Sequence, residues 1–195
     1  MLEPELVYSS YPVSLRPFRR NLLREYLQFK TLQFLASSAD AAKLTWIGGT
    51  ALRIAYGGDR FSEDLDFDDR GLNAMDFAKM GDLAARWLDT FALLPVAPAE
   101  VILAQKLVAI LRRPRAMGRD FYDAAFLFGR TRPDMDFLAC RLGISDSGEL
   151  LRLLLERCRT LNLKTLAADL RPFLPDPSLA GRVEAFPEIL RSKLT

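Results

Sequence analysis

The sequence predicts an α+β fold: a small sheet with flanking helices, followed by a helical C-terminal region. Three observations carry this reading. Two short strand-like runs, 44–49 rich in strand formers and 64–69 alternating acidic with apolar residues, lie close together in the first half of the chain. A glycine pair closes the first run, and a short helix-like segment separates it from the second. From residue 99 onward only helical spacing occurs. Half of the 195 residues are apolar, enough to bury a core in one domain or two small ones. The change in character divides the expectation into an α/β region with its N-terminal helix over 1–97 and a helical region over 98–195 that completes the cleft.

Taken in order, "FRRNLLREYLQFKTLQFLAS" (18–37) places Phe18, Leu22, Leu23, Tyr26, Leu27, Phe29, Leu32, Phe34 and Leu35 at largely helical spacing between arginines. This is an amphipathic helix whose apolar face needs a partner. "LTWIGG" (44–49) reads as a buried strand ending in a sharp turn, and "TALRIAYGG" as a short helix stopped by Gly57 and Gly58. "DLDFDD" (64–69) reads as a second strand, with Asp64, Asp66 and Asp68 on one face and Leu65 and Phe67 on the other. Residues 74–94 have helical spacing, with Asp76, Asp82 and Asp89 at exposed positions, and "LLPVAP" (93–98) suggests a third short strand, held to a sheet edge by Pro95 and Pro98. Helices follow over "AEVILAQKLVAILRR" and "GRDFYDAAFLFGR", then several more broken by prolines.

Composition excludes several chemistries. The chain has no histidine, which removes Ser-His-Asp and Cys-His catalysis and every His-ligated metal centre. Its two cysteines, Cys140 and Cys158, lack CxxC spacing and suit a reducing compartment. Glu3 and Glu5 stand where a signal peptide wants positive charge, and no 18-residue apolar run occurs, so the expectation is a cytoplasmic protein with no membrane partner. With 27 basic and 25 acidic residues, any nucleic-acid binding must come from local clusters such as Arg112, Arg113, Arg115 and Arg119.

The stretch "IGGTALRIAYGGDRFSEDLDFDD" (47–69) concentrates the chemistry. Glu63, Asp64, Asp66 and Asp68 fall within six positions, and such mutual repulsion calls for a cation among them. Two aspartates separated by one residue on a strand suit hard oxygen ligation of a magnesium ion. Gly48 and Gly49, with Thr50 opening a helix, would present backbone N–H groups to a phosphate. Arg60 and Ser62 are further candidate phosphate contacts, although Ser62 or Asp59 could equally cap a turn. Lys106 interrupts an apolar helical run, so it needs a phosphate or an aspartate as partner, or must reach solvent. Asp120 and Asp123 lie three apart and share a helix face.

These residues also carry a resemblance. "GGTALRIAYGGDRFSEDLDF" and "AEVILAQKLVAILRRPRAMGRDFYDAAFLF" (99–128) resemble, in order, two motifs of the AbiEii/AbiGii-type toxin nucleotidyltransferase family, part of the DNA polymerase β-like superfamily. The resemblance implies a polymerase β-like sheet, with Asp64 and Asp66 as Mg2+ (or Mn2+) ligands and Gly48, Gly49 and Thr50 as the phosphate-binding turn. It further implies Lys106 as a triphosphate contact and Arg119, Asp120 and Asp123 as a second cluster at the catalytic site.

The implied activity is transfer of a nucleoside monophosphate from an NTP to an acceptor, with tRNA or another RNA as acceptor and a cognate antitoxin as protein partner. Only about 30 residues separate Asp68 from Ala99, fewer than the family usually carries, so the sheet is expected to be reduced to two or three strands. That shortening leaves open a catalytically impaired nucleotide- or antitoxin-binding module. A purely helical interaction protein is the third reading.

Overall fold

A computed structural model describes residues 3–72 and 95–194. They show the expected α+β composition, a small sheet followed by helices, and the chain divides into two compact units, Met1–Ala97 and Pro98–Thr195.

In the first unit, α1 (Pro4–Ser9) and a 3-10 turn (Val13–Phe18) lead into α2 (Arg19–Ser37). The buried side of α2 is not the uniformly apolar face its spacing suggests. Leu22, Glu25, Gln28 and Leu32 are buried, whereas Leu27 and Phe29 are each 43% exposed. Polar groups are tolerated inside because each has a partner. Arg53 Nε lies 2.8 Å from Glu25 Oε2, and Gln28 Nε2 donates to the Ser62 carbonyl at 3.1 Å. Burial, with the Glu25 charge as the next cause, pushes the nearby Tyr11 phenol well above its ordinary range.

β1 (Leu44–Ile47), α3 (Gly48–Ala55) and β2 (Asp66–Asp69) follow. β1 and β2 pair antiparallel, with Leu44 opposite Asp69, Thr45 opposite Asp68, Trp46 opposite Phe67 and Ile47 opposite Asp66. The second strand is two residues shorter than "DLDFDD". Asp64 and Leu65 have no ladder partner, because β1 ends at Ile47 and the chain turns into α3. On the other side of β1, Val96 makes a single parallel bridge to Trp46: Trp46 N–H donates to Pro95 O at 2.8 Å and Ala97 N–H to Trp46 O at 3.0 Å. Pro95 serves here as an acceptor, the one ladder role a proline keeps. The helix expected over 74–94, with Asp76, Asp82 and Asp89, lies outside the described residues.

The second unit is built on α4 (Ala99–Arg112) and α5 (Gly118–Phe128), with α6 (Met135–Leu142), α7 (Ser147–Arg159), α8 (Leu163–Leu170), α9 (Gly181–Glu184) and α10 (Phe186–Leu194) around them. Ile102, Leu103 and Leu107 of α4 are fully buried, as are Phe121 and Leu127 of α5 and Phe186 of α10. Phe121 and Phe186 meet edge to face with centroids 5.2 Å apart. Asp134, Asp146 and Asn162 cap α6, α7 and α8 by accepting from the backbone N–H of the third residue of each helix. Among the described residues no helix is long and apolar enough to cross a membrane.

Candidate functional site

The glycine turn after β1 is shaped around its neighbours. Gly48 has φ +79°, a left-handed conformation that a side chain disfavours, and a Cβ there would lie 2.9 Å from Asp66 Cβ and Cγ and nearer still to Oδ2. At Gly49 the corresponding space is taken by the Arg60 guanidinium and by Ser62 Oγ at 2.8 Å. Thus Gly48, Gly49, Arg60, Ser62 and Asp66 meet at the entrance to α3, where the first-turn N–H groups lack intrahelical acceptors.

Thr50 is fully buried, and its hydroxyl donates to the Asp64 carbonyl. This side chain therefore ties α3 to the segment leading into β2. Arg60 is buried, with Nη1 donating to Phe61 O at 2.8 Å. The segment before β2 is pinned from α2 as well, since Arg24 meets Glu63 at 2.6 Å and Gln28 holds the Ser62 carbonyl. Arg53 stacks over the Phe61 ring at 4.8 Å. Cations thereby offset part of the charge repulsion within the carboxylate run.

Asp64, Asp66 and Asp68 are exposed and alternate with half-buried Leu65 and Phe67. Register puts Asp66 and Asp68 on the sheet face shared by Ile47 and Thr45. Among the described residues no ion pair or hydrogen bond engages the Asp66 carboxylate. Nor does any group of three or more His, Cys, Asp or Glu close around one metal position among them. Asp64 and Asp66 as a pair nevertheless fit Mg2+, which typically takes one or two protein carboxylates and completes its octahedron with substrate phosphates and water.

The other candidate residues gather within the second unit. Lys106 of α4 lies 2.9 Å from Asp123 Oδ2 and 3.5 Å from Asp120 Oδ1, both on α5. Asp120 and Asp123 are 2% and 3% exposed, and two carboxylates buried this deeply call for cationic partners. Arg113 Nη1 is 3.2 Å from Asp120 Oδ2. Its N–H directions give that oxygen an ion pair but no hydrogen bond, so the oxygen is buried without one. Arg119 is half-buried on the first turn of α5.

Two contributors escaped the sequence reading. Arg113 entered it only as one of a basic cluster, and Arg157 not at all. From α7, Arg157 donates through Nε to Ile110 O at 3.2 Å and through Nη2 to Arg113 O at 2.8 Å, occupying terminal carbonyls of α4. It thereby fixes the backbone from which the Arg113 guanidinium reaches Asp120. Nothing in the spacing of residues 44 or more positions apart could reveal this.

The structure thus brings Gly48, Gly49, Thr50, Arg60, Ser62, Asp64 and Asp66 together in one unit, and Lys106, Asp120 and Asp123 together in the other. A family model described as "Nucleotidyl transferase AbiEii toxin, Type IV TA system" matches residues 32–80 and 75–192. No curated protein and no solved structure matches the chain.

Proposed function

Because the chain belongs to the AbiEii nucleotidyl transferase toxin family of type IV toxin–antitoxin systems, we propose that it transfers a nucleoside monophosphate from an NTP to an RNA acceptor, tRNA being the first candidate. An acceptor hydroxyl oxygen forms a bond to the α-phosphorus, the bond to the β-phosphate oxygen breaks, pyrophosphate leaves, and the hydroxyl proton passes to a base. The family supports the toxin role and implies an antitoxin partner.

The observation that carries this reading is the placement of Asp66. Its exposed carboxylate packs against Gly48 and has no partner among the described residues, beside a helix entrance also bordered by Arg60. A carboxylate held against a glycine turn at a helix entrance is poorly explained by stability alone. Asp64 and Asp66 would hold Mg2+ or Mn2+, which when bound neutralises triphosphate charge and acidifies the attacking hydroxyl. The N–H groups of Gly48, Gly49 and Thr50, with Arg60 and Ser62, would orient the phosphates. Lys106, Arg119, Asp120 and Asp123 are assigned the second cluster, with Asp123 or Asp120 as the candidate proton acceptor.

The test incubates the protein with each α-labelled NTP, magnesium and total tRNA, beside Asp66→Ala. Label entering RNA with wild type alone supports transfer. NTP binding without labelling of any RNA replaces this reading with that of a nucleotide-binding module, which the small described sheet favours.

A further inference from the structure

At the far end of α5 from Asp120, about 12 Å along the helix axis at 1.5 Å per residue, a recess of about 380 Å3 opens between the α5 C-terminus and α10. Phe128, Arg130, Thr131, Arg132, Ser192 and Lys193 line it, so three cations and two hydroxyls border the recess, and among the described residues no acidic residue contributes to the lining. We propose that this recess is an RNA-backbone site, seating phosphodiester groups of the acceptor strand.

The arginine cluster at 112–119 also carries exposed cations, Arg112 and Arg115, with no ion pair or hydrogen bond among the described residues, so what sets the recess apart is its concave shape. In that cluster Arg113 is committed to the buried Asp120, and its backbone carbonyl to Arg157. In the recess, neither the Arg132 nor the Lys193 side chain makes an ion pair or hydrogen bond among the described residues, and both are exposed. Arg130 lies over the Phe126 ring at 4.2 Å, which holds its guanidinium at the recess wall.

Opposing charges are near. Thr131 Oγ1 donates to Glu100 Oε1 at 2.8 Å, and Glu188 engages Arg191 at 3.6 Å. Glu100, its carboxyl held below the ordinary range first by its own backbone N–H and then by Thr131, stays ionised. These acids are occupied by donors of their own, which leaves Arg132 and Lys193 as the uncommitted charge. Two such cations on a concave, mainly polar surface suit a polyanionic backbone.

The proposal rests on the RNA-acceptor reading and is tested apart from transfer. Fluorescein-labelled single-stranded 20-nucleotide RNA is titrated at 50 and 200 mM salt against wild type, Arg132→Glu/Lys193→Glu, the milder Arg132→Ala/Lys193→Ala, and a control, Lys164→Glu/Arg171→Glu, with the same charge change elsewhere on the unit. Circular dichroism confirms folding of each. The expected result is affinity at least about tenfold weaker for the recess reversal, a salt slope lower by about 1.4 for the alanine pair, and less than about a threefold effect for the control. Equal weakening of control and recess variants, or no RNA binding by wild type, overturns it. Recess-dependent binding without label transfer leaves the recess standing and removes the transferase reading. Transfer with recess-independent binding does the reverse.

Discussion

The carboxylate of Asp66 occupies the volume that a side chain at Gly48 would need. Gly48→Ala therefore meets two penalties, the left-handed φ and the collision. The expected loss is about 1–3 kcal/mol in urea unfolding. Removing the carboxylate relieves only part of the second, since the Asp66 Cβ would still lie 2.9 Å from the new methyl. In the Asp66→Ala background the same glycine substitution should cost about 1 kcal/mol less, a coupling that a double-mutant cycle reads directly. Additive losses would show that the turn and the strand move independently.

Lys106 holds two buried carboxylates, so Lys106→Met should destabilise the protein by about 3–5 kcal/mol. The companion variant Lys106→Met/Asp123→Asn leaves one buried charge fewer and should recover part of that loss. If the double variant is no more stable than the single one, the cluster is not the electrostatic unit its distances indicate.

Arg157 spans two carbonyls at the end of α4 with one fork. Arg157→Met should cost on the order of 2 kcal/mol, and Arg157→Lys should restore little, since an ammonium cannot reproduce the planar pair of donors. Thermal unfolding of the three proteins decides the matter.

The Cys158 thiol is pushed up to about 11, chiefly by burial, with Glu188 adding and Arg191 opposing. Its folded pKa thus exceeds the unfolded value near 9, so the unfolded chain loses its proton first. Stability is fully present below about pH 9 and falls as pH rises to about 11, the direction in which raised Tyr11 also acts. Cys158→Ala should flatten the decline seen in urea titrations across that window. At pH 8, exposed Cys140 should react with a thiol reagent first, and Cys158 only after unfolding.

Local signals made much of the fold legible. The glycine pair closing "LTWIGG", the alternation in "DLDFDD" and the long helical runs after residue 99 each reflect backbone preferences acting over a few residues, and the described structure contains the corresponding strands and helices. Where the sequence reading missed, a distant partner had changed the outcome. Glu25 and Gln28 lie on the buried side of α2 because Arg53 and the Ser62 carbonyl receive them there, which hydropathy cannot show.

The candidate site divides along the same line. By itself the sequence determined which residue types lie near one another along the chain: two glycines, a threonine, and aspartates at alternate strand positions. It also determined what chemistry a chain without histidine can support. Only the tertiary structure decided that Asp66 rests against Gly48, that the Thr50 hydroxyl is spent on the Asp64 carbonyl, that Lys106 faces Asp123, and that Arg157 sets the place of Arg113. The reason is physical. Propensity and periodicity act between neighbours in sequence, whereas ion pairing and close packing act between neighbours in space, and a buried charge takes whichever partner the fold delivers.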